Sequence, residues 1–237
     1  MRILGIETSG DVAGLAVLDE AGVLAEIQFR HRQELSRTLA VRLEELLELA
    51  GLDLPELHGV TVAVGPGSFT GLRMGVTAAK TLAYARELPV AGVGTLAALA
   101  AERPAPFRAL LCSVLPASPT HLFAALFQWQ DGRPEPRAEE MLIAAEDLAA
   151  KLAQSPLDVV LAGSAGQHRP ALEAALGPRL ILGPEQPTPR AATVARLGRE
   201  RLLRGESDPA HALAPRYLRP STAEARLRER QAAGGAP

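Results

Sequence analysis

A nine-residue segment, Gly65-Pro66-Gly67-Ser68-Phe69-Thr70-Gly71-Leu72-Arg73, constrains this chain more than any other stretch. It stands between an apolar run, Val60 to Val64, and a helical period that continues to Arg86 with Leu72, Val76, Ala79, Leu82 and Ala83 on one side. A short buried strand must therefore pass through a glycine-rich turn directly into a helix. Backbone N–H groups at such a helix start favour an anion, glycine permits close backbone approach, and Ser68 or Thr70 is placed to cap. Three uses stay open: a tight capped turn, a ligand-binding loop, or a surface on which glycines admit another chain. Two nucleotide patterns are excluded. The Walker loop requires a lysine before its Ser/Thr, and G-P-G-S-F-T-G does not match GxGxxG.

The flanking sequence predicts an α/β architecture. Ile3 to Ile6, Val12 to Leu18 and Val23 to Phe29 read as three strands joined by short turns, an antiparallel meander. From Leu35 the period changes, and Leu35, Leu39, Leu43, Leu46, Leu47 and Ala50 share a helical face that ends at Gly51. After the central segment come a short strand over 88–93 and a helix over 95–101. Pro104-Ala105-Pro106 then breaks the pattern. A second set of elements follows: a hairpin of Ala109 to Leu115 with His121 to Gln128, a helix from Ala145 to Gln154, a strand over 159–162 and a helix from Ala171 to Leu176. Thr193 to Leu203 reads as a final amphipathic helix, and Thr222 to Pro237 as a fraying end. The expected division is a first lobe over residues 1–103 and a smaller second lobe over 104–237, each built on a mixed sheet.

Composition narrows the function classes. With 25 basic against 27 acidic residues the chain carries a net charge of −2, so it lacks an overall basic footprint for nucleic acid. Aromatic residues make up 3% of the sequence, too few for a platform that stacks bases. The one cysteine, Cys112, excludes a disulfide framework and fits a reducing cytoplasm; no tract is long enough for a signal peptide core or a membrane span. His31, His58, His121, His168 and His211 are dispersed and form neither HxxxH nor HExxH. Neither Gly163-Ser164-Ala165-Gly166 nor Gly67-Ser68-Phe69 makes a GxSxG nucleophile elbow. Glu7-Thr8-Ser9 at the end of the first strand either holds a phosphate-bound metal or satisfies its own turn. Charge is uneven: residues 1–100 hold 8 basic and 12 acidic residues, whereas residues 190–237 hold 10 arginines and 5 acids. The basic end reads either as a solvated tail or as a contact for RNA phosphate or an acidic partner.

Ile6-Glu7-Thr8-Ser9, the GPGSFTGLR-x-G segment of residues 65–75 and Pro215-Arg216-Tyr217-Leu218-Arg219 occur in this order. Together they resemble the TsaB (YeaZ) family of the bacterial threonylcarbamoyladenosine tRNA-modification machinery. The resemblance implies two actin-like lobes of the ASKHA superfamily, each with an RNase H-like core and mixed sheets. It implies a non-catalytic subunit in the cytoplasm that binds a TsaD-type transferase and helps recruit a TsaE-type ATPase. The complex would modify the adenosine next to the tRNA anticodon, so contact with tRNA would be indirect. TsaD carries a histidine metal motif on its first long helix, whereas Leu35 to Ala50 contains no histidine. No catalytic residue, cofactor or metal is therefore expected, and no membrane contact.

In the family the partner surface is formed by two N-lobe helices, here Leu35–Ala50 and Phe69–Arg86. The same surface would serve a homodimer when the chain is alone. Leu39, Leu43, Phe69, Gly71, Leu72, Arg73, Gly75, Val76 and Ala79 are the interface residues expected from this mapping, with the small residues allowing close helix approach. Departures from the family lie elsewhere. Its usual Asp-Ala-Arg-x-x-Glu-Val-Tyr at the second-lobe hairpin is here Pro116-Ala117-Ser118-Pro119-Thr120-His121-Leu122-Phe123, its His-Ser/Thr is Glu34-Leu35, and its Asp-Thr is Glu7-Thr8. These departures weaken the case for a nucleotide between the lobes. The rival reading is an enzyme of the same fold, an ATPase, kinase or peptidase.

Overall fold

The computed structural model describes residues 1–30, 35–106, 108–186 and 188–219. Strands β1 (Ile3–Glu7), β2 (Val12–Leu18) and β3 (Val23–Arg30) form the expected meander, with Ile3 opposite Leu18 and Glu7 opposite Gly14. Helix α1 (Leu35–Ala50) leads to β4 (Gly59–Gly65), which joins the other side of β1 in parallel. Helix α2 (Phe69–Arg86) leads to β5 (Val90–Gly94), parallel to β4, and α3 (Thr95–Ala101) follows at once. The first sheet thus has the order β3-β2-β1-β4-β5. All five residues of β1 are buried, because both faces of this central strand are covered. Leu4 and Ile6 point into the core beneath α1 and α2, while Ile3 lies on the opposite face.

The second sheet begins with β6 (Leu110–Pro116) and β7 (His121–Gln130), paired from Leu110–Gln128 to Pro116–Leu122. Strands β8 (Arg133–Pro136) and β9 (Met141–Ala144) both pair with β7; the sequence reading assigned neither. They are four residues each, too short to show a period, and two of the four in β8 are proline. Helix α4 (Ala145–Ala153), strand β10 (Val159–Gly163), helix α5 (Arg169–Leu176) and the two-residue β11 (Leu180–Ile181) complete the set. Helices α4 and α5 close one face of this sheet through Leu148, Leu152, Leu172 and Leu176. The other face, with Leu111, Leu115 and Phe123, packs on Leu96 and Leu99 of α3. Helix α3 is therefore the apolar joint between the two sheets.

One boundary differs from the expectation. Division at residues 103/104 places the final helix, α6 (Ala191–Leu203), with the second lobe, but it packs across β1, β2 and β4 of the first sheet. The physical reason is a run of small residues on both partners. A Cβ at Gly5 would come well inside 3.0 Å of the Ala191 carbonyl, and one at Gly198 would overlap Thr61 to the same degree. Such gaps let a helix sit close on a sheet face, and Ala191, Val194 and Ala195 are fully buried there. The chain then runs along the open edge of β5, where the Asp208 amide donates to the Val90 carbonyl (2.8 Å) and the Gly92 amide to Asp208 Oδ2 (2.7 Å). Arg201 pairs with Asp208 at 3.0 Å and holds this passage in place. Residues 222–237, read as a fraying end, lie outside the described residues.

Because Gly5 meets backbone rather than a flexible side chain, Gly5→Ala is expected to destabilise the protein by about 1–3 kcal/mol. Urea unfolding checks this, and an unchanged midpoint would refute the proposed tightness of the contact.

Candidate partner-binding face and interlobe cleft

The start of α2 is built by hydrogen bonds to the end of β1. The Ser68 amide donates to the Ser9 carbonyl (2.6 Å), and Ser68 Oγ caps the helix by accepting from the Gly71 amide (3.2 Å). The Thr8 hydroxyl donates to the Gly71 carbonyl (2.8 Å). Gly71 and Gly75 are needed for this seating, since a Cβ at either would run into Thr8 well inside 3.0 Å. Of the three readings of the glycine-rich segment, the capped turn describes its geometry.

This seating bears on the residues of the expected interface. Gly71, Leu72, Gly75, Val76 and Ala79 are buried against their own sheet, and so is Leu39 of α1. Leu43 is half-buried and packs on the same core. The apolar helical period serves the lobe's own core. Of the nine, Arg73 is exposed and Phe69, like Leu43, is half-buried; the chain's own C-terminal segment engages Phe69 and Arg73. The Phe69 and Tyr217 rings stack with centroids 4.5 Å apart. The Arg73 guanidinium lies 3.9 Å over Phe69, and its Nε donates to the Tyr217 hydroxyl at 3.0 Å.

What α1 and α2 present outward is a different set. Tyr84 is 85% exposed, Leu49 68% and Val41 53%. They share that side with Glu44 and Glu48 on α1 and with Thr77 and Thr81 on α2, all exposed. The signal in the sequence was present: each is an apolar residue out of phase with the inward period of its helix.

Between the lobes lies a cleft of about 1000 Å³. Its first-lobe wall is the β1–β2 turn, Ser9 to Asp11, with the Pro66–Phe69 loop; its second-lobe wall is Leu115 to Ala117 with Phe123. Arg216 to Arg219 strap one side. The Arg216 amide donates to the Val64 carbonyl (2.7 Å) and its guanidinium pairs with Glu140 (2.7 Å), while Arg219 donates to the Ala117 carbonyl (2.6 Å). Burial raises the pKa of Glu140, opposed by the Arg216 charge. The hairpin that departs from the family pattern is a compact turn. The Ala117 amide donates to the His121 carbonyl (2.9 Å), Ser118 Oγ accepts from the Thr120 amide (3.3 Å), and Gln167 Nε2 donates to the Pro119 carbonyl (2.8 Å).

Behind this cleft Glu7 is 1% exposed. One carboxylate oxygen accepts from the Ser9 amide at 2.5 Å, and the other has no protein partner. Burial pushes its pKa up to about 7; hydrogen bonding from Ser9 opposes the rise, and the nearby Glu102 charge adds to it. Glu7 thus serves its own turn first. Cys112 is buried, its thiol pushed up to about 12, which makes it inert as a nucleophile at neutral pH. Among the described residues no three His, Cys, Asp or Glu side chains come together as metal ligands. His168 Nε2 lies 3.1 Å from the Ser118 carbonyl and His58 Nδ1 accepts from the Arg2 amide at 3.1 Å, both in structural roles. His31 and Glu34 lie outside the described residues. Among the described residues no helix is long and apolar enough to cross a membrane.

Comparison with known proteins agrees with this geometry. The family model for TsaD, tRNA N6-adenosine threonylcarbamoyltransferase, matches residues 20–225. The tRNA threonylcarbamoyladenosine biosynthesis protein TsaB of Bacillus subtilis is 32% identical over 233 residues, covering 98% of this chain and 100% of the relative. The chain belongs to the TsaB (YeaZ) family. YeaZ from Pseudomonas aeruginosa superposes with a TM-score of 0.78 at 23% identity, over 92% of this chain and 99% of that one. A ROK hexokinase from Thermus thermophilus superposes with a TM-score of 0.51 at 14% identity, over 86% and 100% of the two chains. The two-lobed, actin-like fold expected from the resemblance is the fold observed. In this TsaB-family chain the C-terminal segment Arg216 to Arg219 runs along one side of the cleft between the lobes.

Because Glu7 has a folded pKa of about 7 against a usual 4.5, the folded state holds a proton that the unfolded state releases between these values. Stability is therefore expected to fall as pH rises from about 4.5 to 7, by about 3 kcal/mol in total. Glu7→Gln keeps the acceptor for Ser9 and removes the charge. Denaturant midpoints measured across this range should slope less in the variant, and parallel slopes would refute the assignment to Glu7.

Proposed function

We propose that this chain is a non-catalytic subunit of tRNA threonylcarbamoyladenosine biosynthesis that docks on a TsaD-type transferase and helps recruit a TsaE-type ATPase. The observation that carries this reading is the end-to-end kinship with TsaB of Bacillus subtilis. Two features of the chain support the non-catalytic role. Leu35–Ala50 contains no histidine where the transferase resemblance would require a metal-binding pair, and the cysteine thiol is buried and neutral.

The docking surface is the outer side of α1 and α2 rather than the small-residue side. Tyr84, Leu49 and Val41 supply exposed apolar anchors, and aromatic anchors of this kind carry much of the energy of an interface. Glu44 and Glu48 form a polar rim. When the transferase is absent the same surface pairs with a second copy of the chain, so homodimer and heterodimer compete. The tRNA is reached chiefly through the partner.

Reconstitution tests the role: transferase, ATPase, ATP, a supply of threonylcarbamoyl-adenylate and tRNA, with this chain added or omitted. Modification is expected only with the chain present; equal modification without it would sink the reading. Turnover of ATP by the chain alone would instead favour the rival enzyme. For the surface, Tyr84→Asp and Leu49→Asp are each expected to weaken capture of the transferase about tenfold or more while leaving the melting curve unchanged. Gly75→Arg is expected to unfold the lobe, because its side chain would enter the space of Thr8.

A further inference from the structure

Helix α3 bears on both sheets, and the chain crosses between the lobes twice, once after α3 and once on the way into α6. Two lobes joined in this way ordinarily move relative to each other, with the hinge at the crossings. In this chain the two crossings are tied to one another. Glu102, at the C-terminal end of α3, reaches the returning chain with both carboxylate oxygens. One accepts from the Arg190 amide (2.6 Å) and the other from Gln186 Nε2 (3.2 Å). The Thr193 side chain on α6 hydrogen-bonds the same carboxylate. Beside it Arg103 lays its guanidinium on Gly183, where a Cβ would fall well inside 3.0 Å of the group.

The returning chain is anchored in both lobes. The Gln186 amide donates to the Gly163 carbonyl of β10 (3.0 Å), and Glu185 accepts from Ser164 Oγ (3.3 Å), which fixes it to the second sheet. Arg190 Nε donates to Glu26 of β3 (2.9 Å), whose other oxygen accepts from the Ala192 amide (3.1 Å), which fixes it to the first. Charged donors and acceptors make such bonds stronger than neutral ones. None of these residues lines the cleft. There the lobes are tied a second time, by Arg216, which bridges the Val64 carbonyl and Glu140, and by Arg219 on the Ala117 carbonyl. Rotation of one lobe against the other must strain at least one of these ties. We propose that Glu102 pins the two crossings into a rigid joint, so that the lobes of this chain hold one relative orientation instead of opening and closing. A subunit that meets its partner without rearranging loses less freedom on docking. The joint itself belongs to the chain alone and does not rest on the docking reading.

Double electron–electron resonance between nitroxides at Asp11→Cys in the first lobe and Ala150→Cys on α4 measures the interlobe distance in the isolated full chain. Both positions are exposed, and Cys112 is buried with its thiol pKa pushed up to about 12, so it stays unlabelled. Dilution with unlabelled chain removes distances between copies. The parent is expected to give one narrow distance, and Glu102→Ala to broaden the distribution about twofold or more. Gln186→Ala, which loses only one of the bonds, is expected to broaden it to a smaller extent. Leu172→Ala truncates the second lobe's core and leaves the crossings intact, so it separates loss of the joint from general loss of stability; the width is expected to stay as in the parent. Three results would each overturn the proposal: a broad or two-peaked distribution in the parent, an unchanged width in Glu102→Ala and Gln186→Ala, or equal broadening by Leu172→Ala.

Discussion

The contact between Thr8 and the first turns of α2 decides where most of the first lobe can lie. Thr8 directly follows the central strand, its hydroxyl holds the Gly71 carbonyl, and only glycines at 71 and 75 allow the helix so close. Once α2 is seated, its apolar period is committed to the sheet, and α1 fills the remaining half of that face through Leu39, Leu46 and Leu47. The outward remainder of the two helices then becomes the surface that a second protein can meet. The same seating places Phe69 and Arg73 at the rim of the cleft, where Tyr217 covers them. The core, the exposed side of the two helices and the cleft are thus set by one backbone approach.

The alternation and period rules worked best where burial was one-sided or complete. The meander, α1, β4, α2 and the β6–β7 hairpin were all readable, because each has a run of apolar residues long enough to show a period. Strands β8 and β9 were not, since their four residues are ordered by pairing with β7 rather than by their own composition. The position of α6 was also hidden. Its sequence shows an amphipathic helix, but which sheet it covers depends on Gly5 and Gly198, whose importance emerges only when the two surfaces meet.

The interface residues show a limit of a different kind. Small residues on a helix signal close approach, yet they do not say to what. Gly71 and Gly75 approach Thr8 of the same chain, a contact that their spacing in the sequence does not name. The more informative residues were those that disobey the period: Val41, Leu49 and Tyr84 are apolar where the pattern calls for polar side chains. The Pro215–Arg219 motif was recognisable as a family mark, whereas its work, bridging Val64, Glu140 and Ala117, required the fold.

The return of α6 to the first sheet makes that lobe discontinuous in sequence. Its second face and the edge of β5 are supplied by residues 191–208, after the whole second lobe has been made. During synthesis the ribosome must therefore deliver nearly the entire chain before Ile3, Ala63 and Ala91 find cover. Closing so long a loop is slow relative to local pairing. The second lobe, whose strands and helices are contiguous, has all of its own elements in hand before the first lobe receives its last one.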